Sequence, residues 1–322
     1  MWTDDPSTPE SAARPRERRR AARAPPAHSL GSDLSEPVFY LRADLEAPEP
    51  HDVGGGQACV WTHRAPESER PNQDGVLLVE EGACVVLAVA DGCGGLPAGD
   101  EAASVALRAL ADCVSQARPA DANALRAAVL DGFEKANQAV LELASGAATT
   151  LAVAALFEDT VRTFHAGDSL VLLTGQRGKL KLQTIAHSPT GYGLEAGLLD
   201  EESAAQHDER NLVSNVVGSR EMSIDLGPEL RLAARDTLLL ASDGLADNLY
   251  VEEIVDLVRK GPLRKATARL VARARARMEA PEEGEPSHPD DLSVLLYRRK
   301  TPRRRARGVE AAASRLPADS GP

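Results

Sequence analysis

Five aspartates of this 322-residue chain lie in polar turns at the edges of short apolar runs. They are Asp74 in RPNQDGVLLV, Asp91 in VVLAVADGCGG, Asp168 in FHAGDSLVLL, Asp243 in LLLASDGL and Asp290 in HPDDLSVLL. Carboxylates, helped by backbone carbonyls and water, are suited to hard divalent cations such as Mg2+ or Mn2+. Carboxylates gathered in one place repel each other, and cations among them offset that repulsion. No Cys/His grouping has the spacing that zinc prefers. Arg70, four residues before Asp74, is the side-chain type best shaped to grip a phosphate with two parallel hydrogen bonds. Each aspartate taken alone is equally well an ordinary solvated turn residue, and spacing does not show that they meet.

The elements needed to position these residues can be read from periodicity. The run VVLAVA before Asp91 is short, apolar and stopped by Asp-Gly, which predicts a buried strand. Gly92, Gly94 and Gly95 permit a sharp turn, and an Ala-rich helix is predicted from about 100 to 116. Its apolar face is Ala103, Ala106, Leu107, Leu110 and Val114. A second helix, capped by Asp121, places Leu125, Val129, Phe133, Ala136 and Val140 on one side. Short strands follow from 145 to 186, with His165 expected as a strand residue. Residues 187–228 read as a surface flap with short helical pieces, a place where specificity often resides. Strand, Asp-Gly and helix then recur around Asp243, a last helix covers about 262 to 278, and a final strand follows Asp291.

Composition limits the function classes. The net charge is −12, with residues 51–297 carrying −16 and residues 298–322 carrying +6. A strongly acidic folded region argues against nucleic-acid binding. No apolar run is long enough to cross a membrane, and the polar N-terminus does not read as a signal peptide. Cys59, Cys84, Cys93 and Cys113 fit a reducing compartment, so a cytoplasmic protein is expected, and a monomer. The expected organisation is a disordered arm over 1–52 (with an Arg14-to-Arg23 cluster), a folded domain over 53–299 whose first strand starts near Gln57, and a disordered basic tail over 300–322.

Taken in order, RPNQD, DGCGGLPAGDEAAS, GAATT, AGDSL, SDGL and DDLS resemble the motif series of the metal-dependent Ser/Thr protein phosphatases of type 2C, especially the bacterial branch. Each piece is weakly specific, but six in order over residues 57–298 form a highly specific pattern. The resemblance implies an α+β fold, a four-layer α-β-β-α sandwich of two antiparallel sheets with the metals in the cleft between them. It implies that Asp91 bridges two Mn2+ or Mg2+ ions, that Gly92 offers its carbonyl, and that Asp243 and Asp290 complete the pair. Asp74 becomes an outer, water-holding ligand, Asp168 with Asp243 the place of a third, weaker ion, and Arg70 the phosphate grip. The sequence leaves open whether two or three ions bind. The reaction implied is in-line attack on a phosphomonoester by a hydroxide bridging the two ions, without a phosphoenzyme. The implied partners are phosphorylated Ser/Thr proteins, with a Ser/Thr kinase as the opposing enzyme. Two other readings are a catalytically inactive phosphoprotein-binding regulatory domain and a phosphatase of small phosphorylated molecules.

This chain departs from the family pattern at four points. Arg70 lies four residues before Asp74 where bacterial relatives usually show five, Gln73 replaces a Glu, Cys93 stands where Met or His is usual, and Leu170 replaces the Arg of GDSR. Cys93 is a candidate redox or modulatory thiol, and its plainer reading is a small buried filler.

Overall fold

The computed structural model describes residues 34–93, 98–210, 212–281 and 283–300. Thirteen strands among them form two sheets in which every recorded strand pair is antiparallel. The first sheet holds β1 (Val38–Leu41), β4 (Asp74–Glu81), β5 (Cys84–Asp91), β6 (Leu151–Phe157), β7 (Thr160–Ala166) and β10 (Asp225–Leu226) in that spatial order. β11 (Leu230–Arg231) also pairs with β7. The second sheet runs β2 (Glu49–Val53), β3 (Gly56–His63), β13 (Leu292–Arg299), β12 (Thr237–Ala241), β8 (Leu170–Thr174) and β9 (Leu180–Gln183).

Three apolar layers hold these sheets. Between them, Val76, Leu78, Leu87 and Val89 of the first sheet pack with Val60, Val171, Leu240 and Leu295 of the second. The outer face of the first sheet is covered by α1 (Gly99–Ala117) and α2 (Ala122–Glu142), whose expected apolar faces are all buried. Asp121 caps α2 by accepting from the backbone N–H groups of Asn123 and Ala124. The outer face of the second sheet is covered by α5 (Asp243–Ala246), α6 (Val251–Val258) and α7 (Leu263–Glu279). The four-layer α-β-β-α sandwich follows directly, because a strand buried on both faces reads as a continuous apolar run.

The N-terminal boundary expected from composition needs correction. Residues 34–52 belong to the fold, since β1 pairs with β4 and β2 with β3. Both are edge strands, where one side of the ladder is free and Pro50, Glu49 and His51 are tolerated. Tyr40 of β1 is 8% exposed and donates its hydroxyl to Glu49 Oε2 at 2.6 Å, joining the two edges. Residues 1–33 lie outside the described residues, as does the expected basic tail over 300–322 apart from Lys300, which pairs with Asp52. The segment 187–228 carries two short helices, α3 (Pro189–Glu195) and α4 (Glu201–Ala205), before β10.

Candidate functional site

The sheets bring the aspartate turns to one end of the sandwich. Asp74 opens β4 and Asp91 closes β5, and the two face each other in register. In the second sheet Ala241, the last residue of β12, pairs with Leu170 and Val294. Asp168, Asp243 and Asp290 therefore leave from the same edge, each one or two residues beyond a strand end.

The motif residues that carry no charge fix this arrangement. Thr150 Oγ1 accepts from the Asp91 N–H at 3.0 Å, and Thr149 Oγ1 donates to the Asp91 carbonyl at 2.8 Å. Thr150 Oγ1 also lies 2.7 Å from Ser169 Oγ, tying the Asp91 turn to the Asp168 turn. Gly167 has φ +113°, a conformation few other residues adopt, and a Cβ there would collide with Thr150. Asn72 Oδ1 accepts from the Asp74 N–H, while its Nδ2 donates to the Ala43 carbonyl and Thr62 Oγ1. Ser242 Oγ donates to Asp74 Oδ2 at 2.7 Å and accepts from the Ser293 N–H at 2.9 Å.

Electrostatics show that the carboxylates share a site. Burial, then the charge of Asp291, holds Asp74 well above the usual carboxylate range. Burial, then Asp243, does the same for Asp91. Asp168 is pushed up to about 6, chiefly by burial. Asp243 is pushed up to about 6 by burial and Asp168, and Asp290 to about 7 by burial and Asp243. Asp91 and Asp243 act on each other directly, so the two carboxyls do not ionise independently. Asp74 Oδ1 and Asp168 Oδ1 are buried without a hydrogen-bond partner among the described residues. Buried orphaned carboxylate oxygens amid mutual repulsion are an oxygen-donor set suited to hard divalent ions.

Gly92 lies where two stretches of backbone pass close to it. Its N–H donates to the Gln73 carbonyl at 3.2 Å, and a Cβ would run into the Gly99 carbonyl. Arg70 is exposed on the loop before β4, and its guanidinium makes no hydrogen bond or ion pair among the described residues. The nearby Arg64, by contrast, is committed to Asp44 through Nε and Nη2. Burial, with the Asp168 and Asp243 charges, pushes the Cys93 thiol up to about 12. In the ion-free protein that environment favours the thiol over the thiolate.

Two residues escaped the sequence reading. Asp247 lies one helical turn after Asp243, and burial with the Asp243 charge holds it well above the usual range. The i, i+4 spacing in SDGLAD was the available signal. Asp291, adjacent to Asp290, is a brace: its Oδ1 accepts from the Ala65 N–H at 2.7 Å and its Oδ2 from the Gln73 N–H at 2.6 Å. It thus holds both ends of the loop that carries Arg70.

His165, His187 and Asp225 form a separate cluster. His187 Nδ1 accepts from the Gly167 N–H at 3.1 Å and from Asn215 Nδ2 at 2.8 Å, so the ring proton sits on Nε2, 3.2 Å from Asp225 Oδ2. That tautomer leaves His187 no free lone pair for a cation. The ring latches the flap to the Asp168 turn.

Comparison with known proteins agrees with this geometry. A model of the protein phosphatase 2C family matches residues 63–283. Protein phosphatase PhpP of Streptococcus pneumoniae is 32% identical over 194 residues, 58% of this chain and 78% of that protein. The serine/threonine phosphatase stp of Listeria welshimeri is 28% identical over 182 residues, 54% of this chain and 71% of that protein. Among solved structures, the serine/threonine phosphatase of S. agalactiae aligns with a TM-score of 0.66 at 26% identity, covering 76% of this chain and 99% of that one. The PPM Ser-Thr phosphatase MsPP of Mycobacterium smegmatis aligns with a TM-score of 0.61 at 27% identity, covering 75% and 97%. Matched by the family model over most of its length and by relatives that share its sandwich, the chain belongs to the protein phosphatase 2C family and is a phosphoprotein phosphatase.

Proposed function

We propose that this phosphatase removes phosphate from phosphoserine and phosphothreonine in proteins using two Mn2+ or Mg2+ ions held by Asp91, the Gly92 carbonyl, Asp243 and Asp290. Asp74 serves as an outer ligand, and Asp168 with Asp243 offers a third ion a place beside Asp247. The observation that carries this reading is the convergence of buried and half-buried carboxylates, two of them with orphaned oxygens, at one end of the sandwich. When bound, the ions supply a water activated as nucleophile near neutral pH and positive charge for the phosphoryl oxygens.

The chain's own residues do the remaining work. Thr149 and Thr150 pin the Asp91 peptide from both sides, so its carboxylate keeps one position. Ser242 orients Asp74 across the two sheets. Arg70, exposed on a loop anchored by Asp291, is free to take phosphoryl oxygens in bidentate fashion. The intact cluster disfavours an inactive phosphoprotein-binding domain. The PstP catalytic domain, which shares this fold at 24% identity, was solved with two manganese ions, and manganese is the ion to try first here.

The test is phosphate release from a phosphothreonine peptide with Mn2+, alongside Asp243→Asn. Release abolished by EDTA and by the substitution is expected. Metal-independent release, or none from folded wild type with either ion, overturns the reading.

A further inference from the structure

Next to the carboxylate cluster is a cavity of about 420 Å³. Asp168, Asp243 and Asp247 line its inner end, and the flap helices α3 and α4 line the outer end with Glu195 and Glu201. Its lining is mixed: Leu170, Ile185, Leu194 and Leu249 supply apolar surface beside the polar Gln183, Thr184, Ser188 and Thr190. A partly apolar chamber with glutamates at the flap end suits a side chain with an aliphatic stem and a cationic head.

The surroundings of the rim strengthen this match. From 195 to 209 the flap carries six carboxylates, Glu195, Asp200, Glu201, Glu202, Asp208 and Glu209. All are exposed, and among the described residues none is in an ion pair. The one cation lining the cavity among the described residues, Arg210, is turned to other uses. It donates to the Ala205 carbonyl at 3.0 Å and its charge acts on Asp247. Six flap carboxylates outnumber that single cation, so the field at the cavity mouth stays negative.

We propose that this cavity is a substrate subsite for a Lys or Arg side chain flanking the phosphorylated residue, with Glu195 and Glu201 as its charge partners. The inference rests on the phosphatase reading, because it needs the phosphoryl group seated at the carboxylate end. With the phosphate there, a neighbouring side chain of the same extended peptide reaches the flap end, and its cation meets the rim. Acidic segments are repelled by the same field, so basic phosphopeptides are selected both by attraction and by exclusion of the alternative.

The experiment uses the full chain with Mn2+ and phosphothreonine peptides flanked on both sides by Arg, by Ala or by Glu, with an aryl phosphate as a flank-free substrate. The expected result is a kcat/KM for the Arg peptide roughly fivefold above the Ala peptide, carried by KM and reduced at high salt. In the double variant Glu195→Gln, Glu201→Gln the Arg-to-Ala ratio falls towards one, and in Glu195→Lys, Glu201→Lys the Glu peptide becomes preferred. The ratio is taken within each protein, so a loss of folded enzyme does not distort it. Turnover of the aryl phosphate with equal rates for the three peptides, or a ratio unmoved by both variants, overturns the inference and leaves the phosphatase reading standing. No turnover of any substrate overturns that reading instead. Peptide anisotropy then decides the subsite, and equal affinities for Arg and Glu peptides sink it.

Discussion

Ser242 Oγ, at the end of a strand in one sheet, donates to Asp74 Oδ2, at the start of a strand in the other, at 2.7 Å with both residues buried. The same hydroxyl accepts from the Ser293 N–H, so one oxygen serves two partners at the mouth of the cleft. In Ser242→Ala both partners lose their bond inside the protein. The expected loss is about 1–3 kcal/mol, a drop of several degrees in Tm. A higher Mn2+ concentration for half-maximal activity should accompany it. A thermal melt and a Mn2+ titration check both parts, and unchanged values in both would show that the bond carries no weight.

The raised carboxyls predict how pH acts on ion-free protein. Asp168 and Asp243 at about 6 and Asp290 at about 7 retain protons that the unfolded chain gives up near pH 4. Between those limits the native state binds more protons, so its stability falls as pH rises. The side chain of Asp290 is 43% exposed, which softens its share. In EDTA, Tm should be higher at pH 5 than at pH 7.5. Added Mn2+ should raise Tm more at pH 7.5, because binding must displace protons at pH 5. Melts at the two pH values, with and without the ion, read this directly; a Mn2+ increment independent of pH contradicts it.

Arg70 and Arg64 should separate cleanly. Arg64→Ala breaks the contact with Asp44, so it should lower Tm. Arg70→Ala removes a side chain with no polar partner among the described residues, so Tm should hold while kcat/KM for a phosphopeptide falls by about 10- to 100-fold. Kinetics and melts on the two variants side by side decide which arginine handles phosphate.

Gly92→Ala places a methyl against the Gly99 carbonyl, and backbone offers little give. The expected outcome is about 1–3 kcal/mol of destabilisation and a displaced Asp91 turn. Denaturant unfolding measures the first, and isothermal titration of Mn2+ should show weakened binding.

Arg277 is 1% exposed and pairs with Glu253 through two hydrogen bonds and with Glu285, while also donating to the Asn248 carbonyl. Arg277→Ala leaves that carbonyl without its donor and Glu285 without this cation, while Glu253 keeps Arg273 and the Tyr250 N–H, and a loss of about 1–3 kcal/mol is expected by denaturant unfolding.

The legible part of this protein was the set of strands buried on both faces and the helices with a clear period, such as Leu125 to Val140 in α2. Asp74, Asp91, Asp168, Asp243 and Asp290 were visible because each sits where an apolar run stops. The strands β1 and β2 were hidden because an edge strand need not be apolar, and Glu49, Pro50 and His51 look like a tail. Asp247 was hidden inside a short helix, where an acidic residue reads as solvated surface. The roles of Thr149, Thr150 and Ser242 lie in hydrogen bonds between segments far apart in the chain, which no local pattern encodes.

The pairing of β3 with β13 spans nearly the whole domain, with Thr62 hydrogen-bonded to Ser293. During vectorial synthesis β3 emerges early and waits for its central neighbour until the last strand leaves the ribosome. The turn bearing Asp290 arrives with that strand. A chain interrupted before Asp290 therefore lacks both the strand that closes the second sheet and the brace that Asp291 gives to the Gln73 loop. On the proposed reading, phosphate release therefore waits until the chain has been made through β13.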